Sequence, residues 1–183
     1  MVKSKKRIHF VGAQGTGKST ILHHYQELGY NVITEIVRNL AKEGVNINEM
    51  GDIDGQKTIF GSYQKLLKSK KGYISDRGLV DVLSYTCSHA IAEDNEEGPM
   101  KKLADKQYMT AAKFYHDNPD IEICYFPIEF PVVDDGVRST DEEFRAEIDF
   151  LIKTFLDSAE IKYHTITGTV EERIAKVDSI LNS

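Results

Sequence analysis

Cysteine is scarce: Cys87 and Cys124 are the two that occur, far apart and without the clustered spacing of a metal site. Both lie among apolar residues. A disulfide framework is therefore excluded, and two buried free thiols in a reducing compartment, the cytoplasm, are expected. Long hydrophobic runs are missing as well. No stretch approaches the roughly 20 apolar residues of a membrane-spanning helix. The basic start Lys3-Ser-Lys-Lys-Arg7 leads straight into a short strand, without the apolar core and small-residue cleavage site of a signal peptide. Internal repeats, low-complexity tracts and linker-like stretches are also lacking, so residues 1–183 read as one domain able to bury a full core. The net charge of −6 excludes a surface coated by nucleic acid. It leaves room for a local basic groove, and Lys65, Lys68, Lys70 and Lys71 form either such a groove or a solvated helix end.

Two signatures of nucleotide switches and motors are absent. No Asn-Lys-x-Asp occurs to read guanine, and Asp52-Ile-Asp-Gly55 matches a D-x-x-G switch by letter only, because no strand precedes it. A full motor ATPase needs an apolar strand ending in paired acids and a helical lid domain. Here Asp76 is followed by Arg77, and the chain is too short.

What is present is a complete phosphate-binding loop. Residues Gly12, Ala13, Gln14, Gly15, Thr16, Gly17, Lys18 and Ser19 match G-x-x-x-x-G-K-[ST] at every position, followed by Thr20. A short apolar run over 7–11 precedes it and helical spacing over 18–28 follows, which is the strand–turn–helix setting the motif requires. The glycines let successive N–H groups turn inward on a polyphosphate, and the helix start adds the positive end of its dipole. Lys18 is placed to reach the outer phosphates, and the Ser19 hydroxyl to sit on Mg²⁺.

Apolar patterning predicts strands over 7–11, 31–35, 72–76, 121–126 and 162–167. Helices are predicted over 18–28, 36–43, 54–69, 79–92, 99–117, 140–159 and 169–181. Short strands alternating with helices imply an α/β fold: a five-stranded parallel sheet with helices on both faces, in three layers, as in P-loop NTPases of the kinase type. A short lid is expected at about 127–140, where two prolines interrupt a charged stretch.

Ligands in such sheets bind at the carboxyl ends of the strands, so chemistry is sought there. The second strand ends at Glu35, with Arg38 one helical turn on. Glu35 is either the base that accepts the proton of a substrate hydroxyl or an acidic helix start favoured by the dipole. Arg38 either binds an anionic substrate or pairs with Glu35. The third strand ends in Asp76-Arg77. Asp76 is placed to hold Mg²⁺ as the partner of Ser19, and Arg77 to stabilise the transferred phosphoryl group or hold the acceptor; a structural ion pair is the alternative. Asp81 anchors Arg77 or a substrate hydroxyl. Arg138, in Asp134-Asp-Gly-Val-Arg138, is placed to swing over the phosphates, while Ser139 or Thr140 with Glu142 or Glu143 gives an ordinary helix cap. Thr169 borders the adenine or simply forms a capping box with Glu172. Phe60, Tyr63, Gln64 and Tyr85 flank the cleft; the aromatic side chains either stack on a base or belong to the core.

The chain resembles the P-loop kinase group, and within it AAA-like small ATPase/kinase domains related to the ribosylnicotinamide kinase domain of bacterial NAD regulators. The residues that carry the likeness are Gly12–Ser19, Thr34-Glu35 with Arg38, Ser75-Asp76-Arg77, Asp135-Gly-Val-Arg138-Ser139 and Glu172-Arg173. The acid after strand two and the Asp-Arg pair are similar to deoxynucleoside kinases, where such a glutamate acts as base. The resemblance implies ATP, Mg²⁺ and phosphoryl transfer to a hydroxyl of a nucleoside-like molecule, in a family that includes bacteriophage members. The chain has no room for the nucleotidyltransferase domain that usually accompanies such a kinase in NAD metabolism. A deoxynucleoside, a nucleoside monophosphate or a modified base within DNA therefore stand as acceptors. A kinase acting on nucleic acid, and an ATP-dependent regulator without transfer activity, are the competing readings.

Overall fold

The apolar run after the basic start forms β1 (Arg7–Val11), and all five of its residues are buried. A strand covered on both faces belongs at the centre of a parallel sheet, and β1 lies there. The computed structural model describes residues 6–47, 50–69, 71–131 and 141–183. Along the chain follow α1 (Lys18–Glu27), β2 (Val32–Ile33), α2 (Ile36–Lys42), α3 (Ile53–Leu66) and β3 (Tyr73–Ser75). Then come α4 (Leu79–Glu93), α5 (Pro99–His116), β4 (Ile121–Tyr125), α6 (Glu142–Ser158), β5 (His164–Thr165) and α7 (Val170–Asn182). The strands form one sheet in the order β2-β3-β1-β4-β5, and every pairing is parallel. This is the three-layer P-loop kinase-type fold.

Alternation along β1 sorts its side chains into two cores. Ile8 and Phe10 pack with Ile21, Leu22, Tyr25, Val177 and Ile180, beneath α1 and α7. Val11 joins the larger cluster built from α3, α4, α5 and α6. His9 faces that side as well and is fully buried between two tyrosines, with Nε2 2.9 Å from Tyr73 Oη and Nδ1 3.2 Å from Tyr115 Oη. The partners fix its tautomer. Tyr73 donates to Leu67 O, so it accepts from Nε2–H; Leu79 N–H donates to Tyr115 Oη, which in turn donates to Nδ1. Burial, with Arg7 nearby, pushes the His9 pKa down to about 3, so the ring is neutral.

The edge strands are shorter than the pattern predicts. β2 pairs only at Val32 and Ile33, because Glu35 turns the chain out of the sheet in the left-handed region (φ 61°). β5 pairs only at His164 and Thr165, and the chain leaves through Gly168 (φ 98°). Helix α6 is capped by Asp141, which accepts from Glu143 N and Phe144 N; Ser139 and Thr140 lie outside the described residues. Both thiols are free; Cys124 is buried as expected, whereas Cys87 is only half-buried. Among the described residues no helix is long and apolar enough to cross a membrane.

Candidate active site

The loop between β1 and α1 takes its shape from its glycines. Gly12 has φ 150°, and a Cβ there would lie 2.4 Å from Phe126 O at the end of β4. Gly17 (φ 85°) precedes α1 in the left-handed region, where a Cβ would meet the Arg173 guanidinium at 2.7 Å. No side chain caps α1, so its first N–H groups remain open to an anion. The Lys18 ammonium folds back into the loop, donating to Gly12 O and Ala13 O at 2.7 Å and to Thr16 Oγ1 at 3.1 Å.

Three buried charged groups hold the loop from behind. Arg145 of α6, fully buried, donates to Gln14 O (2.9 Å), Gly15 O (3.3 Å) and Phe130 O (2.9 Å), and pairs with Glu142. Arg173 of α7 donates to Thr16 O (2.7 Å) and Gly168 O (2.9 Å) and pairs with Glu129. Two guanidinium groups thus tie down the carbonyls of Gln14, Gly15 and Thr16. The third group is Asp81, whose two oxygens accept from Gly12 N (3.0 Å) and Gly78 N (2.7 Å). Burial pushes its pKa up to about 6, against the opposing pull of Lys18, Arg77 and the two amides. Asp81 thus joins the start of the loop to the start of α4. It is not among the residues that line the cleft, so its position favours the Arg77 alternative over a substrate hydroxyl, and the two charges act on each other.

In front of the loop opens a cleft lined by Gln14–Thr20, Glu35, Arg38, Tyr63, Asp76 and Arg77. Glu35 stands at the start of α2, with its carboxylate 3.6 Å from Arg38 Nε and both side chains partly exposed. Asp76 is fixed at the end of β3 by its N–H, which donates to Ile33 O at 2.8 Å. Arg77 lies over the Tyr85 ring, 5.3 Å from its centroid. A smaller slot shares the walls Val37, Ile47 and Arg77 and adds Gln56, Ile59, Val82 and Tyr85. It is apolar except for Gln56 and Arg77.

The remaining assignments fall elsewhere. Gln64 lines a groove between α3 and α5, on the face of α3 turned from the cleft; the helical period puts it one position past Tyr63, out of reach of a ligand there. Phe60 is a core side chain, 6 % exposed. Thr169 caps α7, accepting from Glu172 N while Glu172 accepts from Thr169 N. Asp52 caps α3 by accepting from Gly55 N, which accounts for the D-x-x-G letters. Arg138 lies outside the described residues, as do Lys70 and most of the segment expected to form a lid.

Arg145 was not legible as a site residue from the motifs. Its signal was available: with Ile148 and Ile152 it completes a buried stripe at helical spacing, where a charged residue demands a partner. The slot residues Val37, Ile47 and Gln56 carried no such mark.

Among solved structures, deoxyadenosine kinase from M. mycoides with bound dATP superposes with a TM-score of 0.66 at 19% identity, covering 97% of this chain and 100% of that one. NadR protein in complex with NR gives a TM-score of 0.71 at 18% identity over 96% of this chain, which spans only 50% of that longer one. Thymidylate kinase from Candida albicans gives 0.65 at 13% identity, covering 98% and 92%. No curated protein matches at the level of sequence. The AAA domain family model matches residues 7–173, from β1 through the phosphate loop to the arginine of α7 that holds it, and the chain belongs to that family.

Proposed function

We propose that the protein is an ATP- and Mg²⁺-dependent phosphotransferase that moves the γ-phosphate to a hydroxyl of a nucleoside or nucleotide-like acceptor. One observation carries this reading: Glu35, Arg38, Asp76 and Arg77 line the same cleft as the phosphate loop, beside a small, largely apolar slot. A phosphate loop with a carboxylate, an arginine pair and an acceptor slot in one cavity has the parts that phosphoryl transfer needs. The fold it shares with nucleoside and nucleotide kinases supports the same reading.

The loop amides and Lys18 bind the polyphosphate, for which Lys18 must swing out of its present bonds to Gly12 O and Ala13 O. Glu35 orients the acceptor hydroxyl and takes its proton as the new O–P bond forms and the bond from the γ-phosphorus to the bridging oxygen breaks, releasing ADP. Arg77 neutralises charge developing on the transferred group; Arg138 is assigned the same task on its sequence context alone. The residues suit a hard, oxygen-loving ion. Ser19 and Asp76 line one cleft, and no cluster of three or more His, Cys, Asp or Glu occurs among the described residues. That donor set fits Mg²⁺, which keeps waters and phosphate oxygens as ligands and, when bound, screens the charge of the outer phosphates. The free thiols fit a reducing compartment, the cytoplasm.

The test is incubation with γ-labelled ATP and Mg²⁺ against nucleosides including nicotinamide riboside, nucleoside monophosphates, and DNA oligomers with and without modified bases. The expected result is label on a nucleoside or nucleoside monophosphate, lost in Lys18→Ala. Label on DNA would move the acceptor to nucleic acid. Label released only to water, or none released despite ATP binding, would overturn the kinase reading.

A further inference from the structure

Gln14 occupies a variable position of the phosphate loop, where the motif demands no particular side chain, yet here a long amide is held at both of its oxygens. Its backbone carbonyl accepts from Arg145 Nε at 2.9 Å. Its side-chain Oε1 accepts from Tyr85 Oη at 2.8 Å. Tyr85 is itself fixed, 6 % exposed, with Arg77 over its ring and the Phe144 ring edge-on at 5.8 Å. The other end of the amide, Nε2, is enclosed and has no hydrogen-bond partner among the described residues. The residue is 6 % exposed and lines the cleft.

A buried N–H₂ without an acceptor bears its full desolvation penalty, so native structures rarely keep one unless something else completes it. Turning the amide over would leave an enclosed carbonyl unpartnered instead, which a polyphosphate would repel. The position of the amide indicates its partner. Gln14 belongs to the wall of the phosphate cleft, while Tyr85 belongs to the wall of the apolar slot. Gln14 therefore bridges the two walls; its Nε2 is shielded from solvent, so the side chain must turn for that atom to reach a ligand in the cleft. Lys18 and Arg77 line the same cleft, so an anionic oxygen is the acceptor that the surroundings favour.

We infer that Gln14 Nε2 donates to an oxygen of the terminal phosphoryl group of the bound triphosphate, and that Tyr85 is the positioning residue that aims it. This rests on the triphosphate-binding reading above. Gln14 then recognises a triphosphate over a diphosphate, and the Tyr85 hydroxyl links that recognition to the wall of the acceptor slot.

The test compares dissociation constants of Mg-ATP and Mg-ADP by calorimetry for the whole chain, Gln14→Leu and Tyr85→Phe, with a thermal melt of each. A hydrogen bond to a charged group is worth about tenfold or more in affinity. Gln14→Leu should therefore weaken ATP about tenfold while ADP affinity is retained, and Tyr85→Phe should act in the same direction by less. A merely structural role would weaken both nucleotides together. That result, or an unchanged ATP-to-ADP ratio, overturns the assignment. If Gln14→Leu does not fold, Tyr85→Phe, which keeps its ring against Arg77 and Phe144, decides by the same ratio. Both constants are read without turnover. A chain that shows this γ-selective loss but transfers no phosphate keeps the Gln14 assignment and loses the kinase one.

Discussion

Glu35 is the residue whose backbone and side chain make opposite demands. Its φ of 61° suits glycine, and a non-glycine residue there costs about 1–3 kcal/mol. Glu35→Gly should therefore raise the melting temperature by a few degrees while turnover is lost. Glu35→Gln keeps the backbone and removes the base; kcat should fall about 10²–10⁴-fold with ATP affinity little changed. Equal losses in kcat and ATP affinity would remove Glu35 from the role of base. That Glu35, Asp76 and Arg77 line the cleft was legible because each follows shortly after a strand, and strand ends in a parallel sheet converge on one edge. Asp81 was legible only as a polar residue near that edge. Its rotation about α4 is set by bonds to Gly12 N and Gly78 N, which are contacts of the folded chain. Residue type alone hid Arg145, since an arginine among acids at a helix start looks like a solvated one; only its spacing to Ile148 and Ile152 marks it as facing inward.

At the scale of elements, the alternation of strands and helices was legible throughout, and the losses fall on edges. β2 and β5 have a neighbour on one side only, so their extent depends on where the chain turns away, not on their own residues. Helices α6 and α7 act at a distance from their own caps. Thr169→Ala should cost about 1 kcal/mol of stability as a lost helix cap, with ATP affinity unchanged. A matching loss of ATP affinity would instead place Thr169 beside the adenine. Arg145→Met should do more. It leaves Gln14 O, Gly15 O and Phe130 O without their donor, so unfolding stability should fall by about 2–4 kcal/mol. The apparent affinity for ATP should fall with it, measured on the folded fraction.

Over the whole molecule, two buried groups set opposite responses to acid. His9 has a folded pKa of about 3 against 6.5 unfolded; its contribution is present above pH 6.5 and lost as pH falls through 3. Asp81 has a folded pKa of about 6 against 3.8 unfolded; its contribution is present below pH 3.8 and lost as pH rises through 6. Between about pH 4 and 6 the two slopes oppose each other, each at most about 1.4 kcal/mol per pH unit. Asp81→Asn removes one of them. Its denaturation free energy should therefore fall more steeply from pH 6 to 4 than that of the unmodified chain, whatever its value at pH 7. Identical slopes would show that Asp81 does not titrate there.

The guanidinium groups that tie down the carbonyls of the phosphate loop come from residues 145 and 173, well over a hundred residues further along the chain. β1 likewise waits for β3 and β4 before it has a neighbour on either side. A ribosome-bound chain halted before α6 has emerged would therefore carry the whole motif and still not grip a nucleotide. On that expectation the capacity to bind arrives only once α6 and α7 have joined the fold.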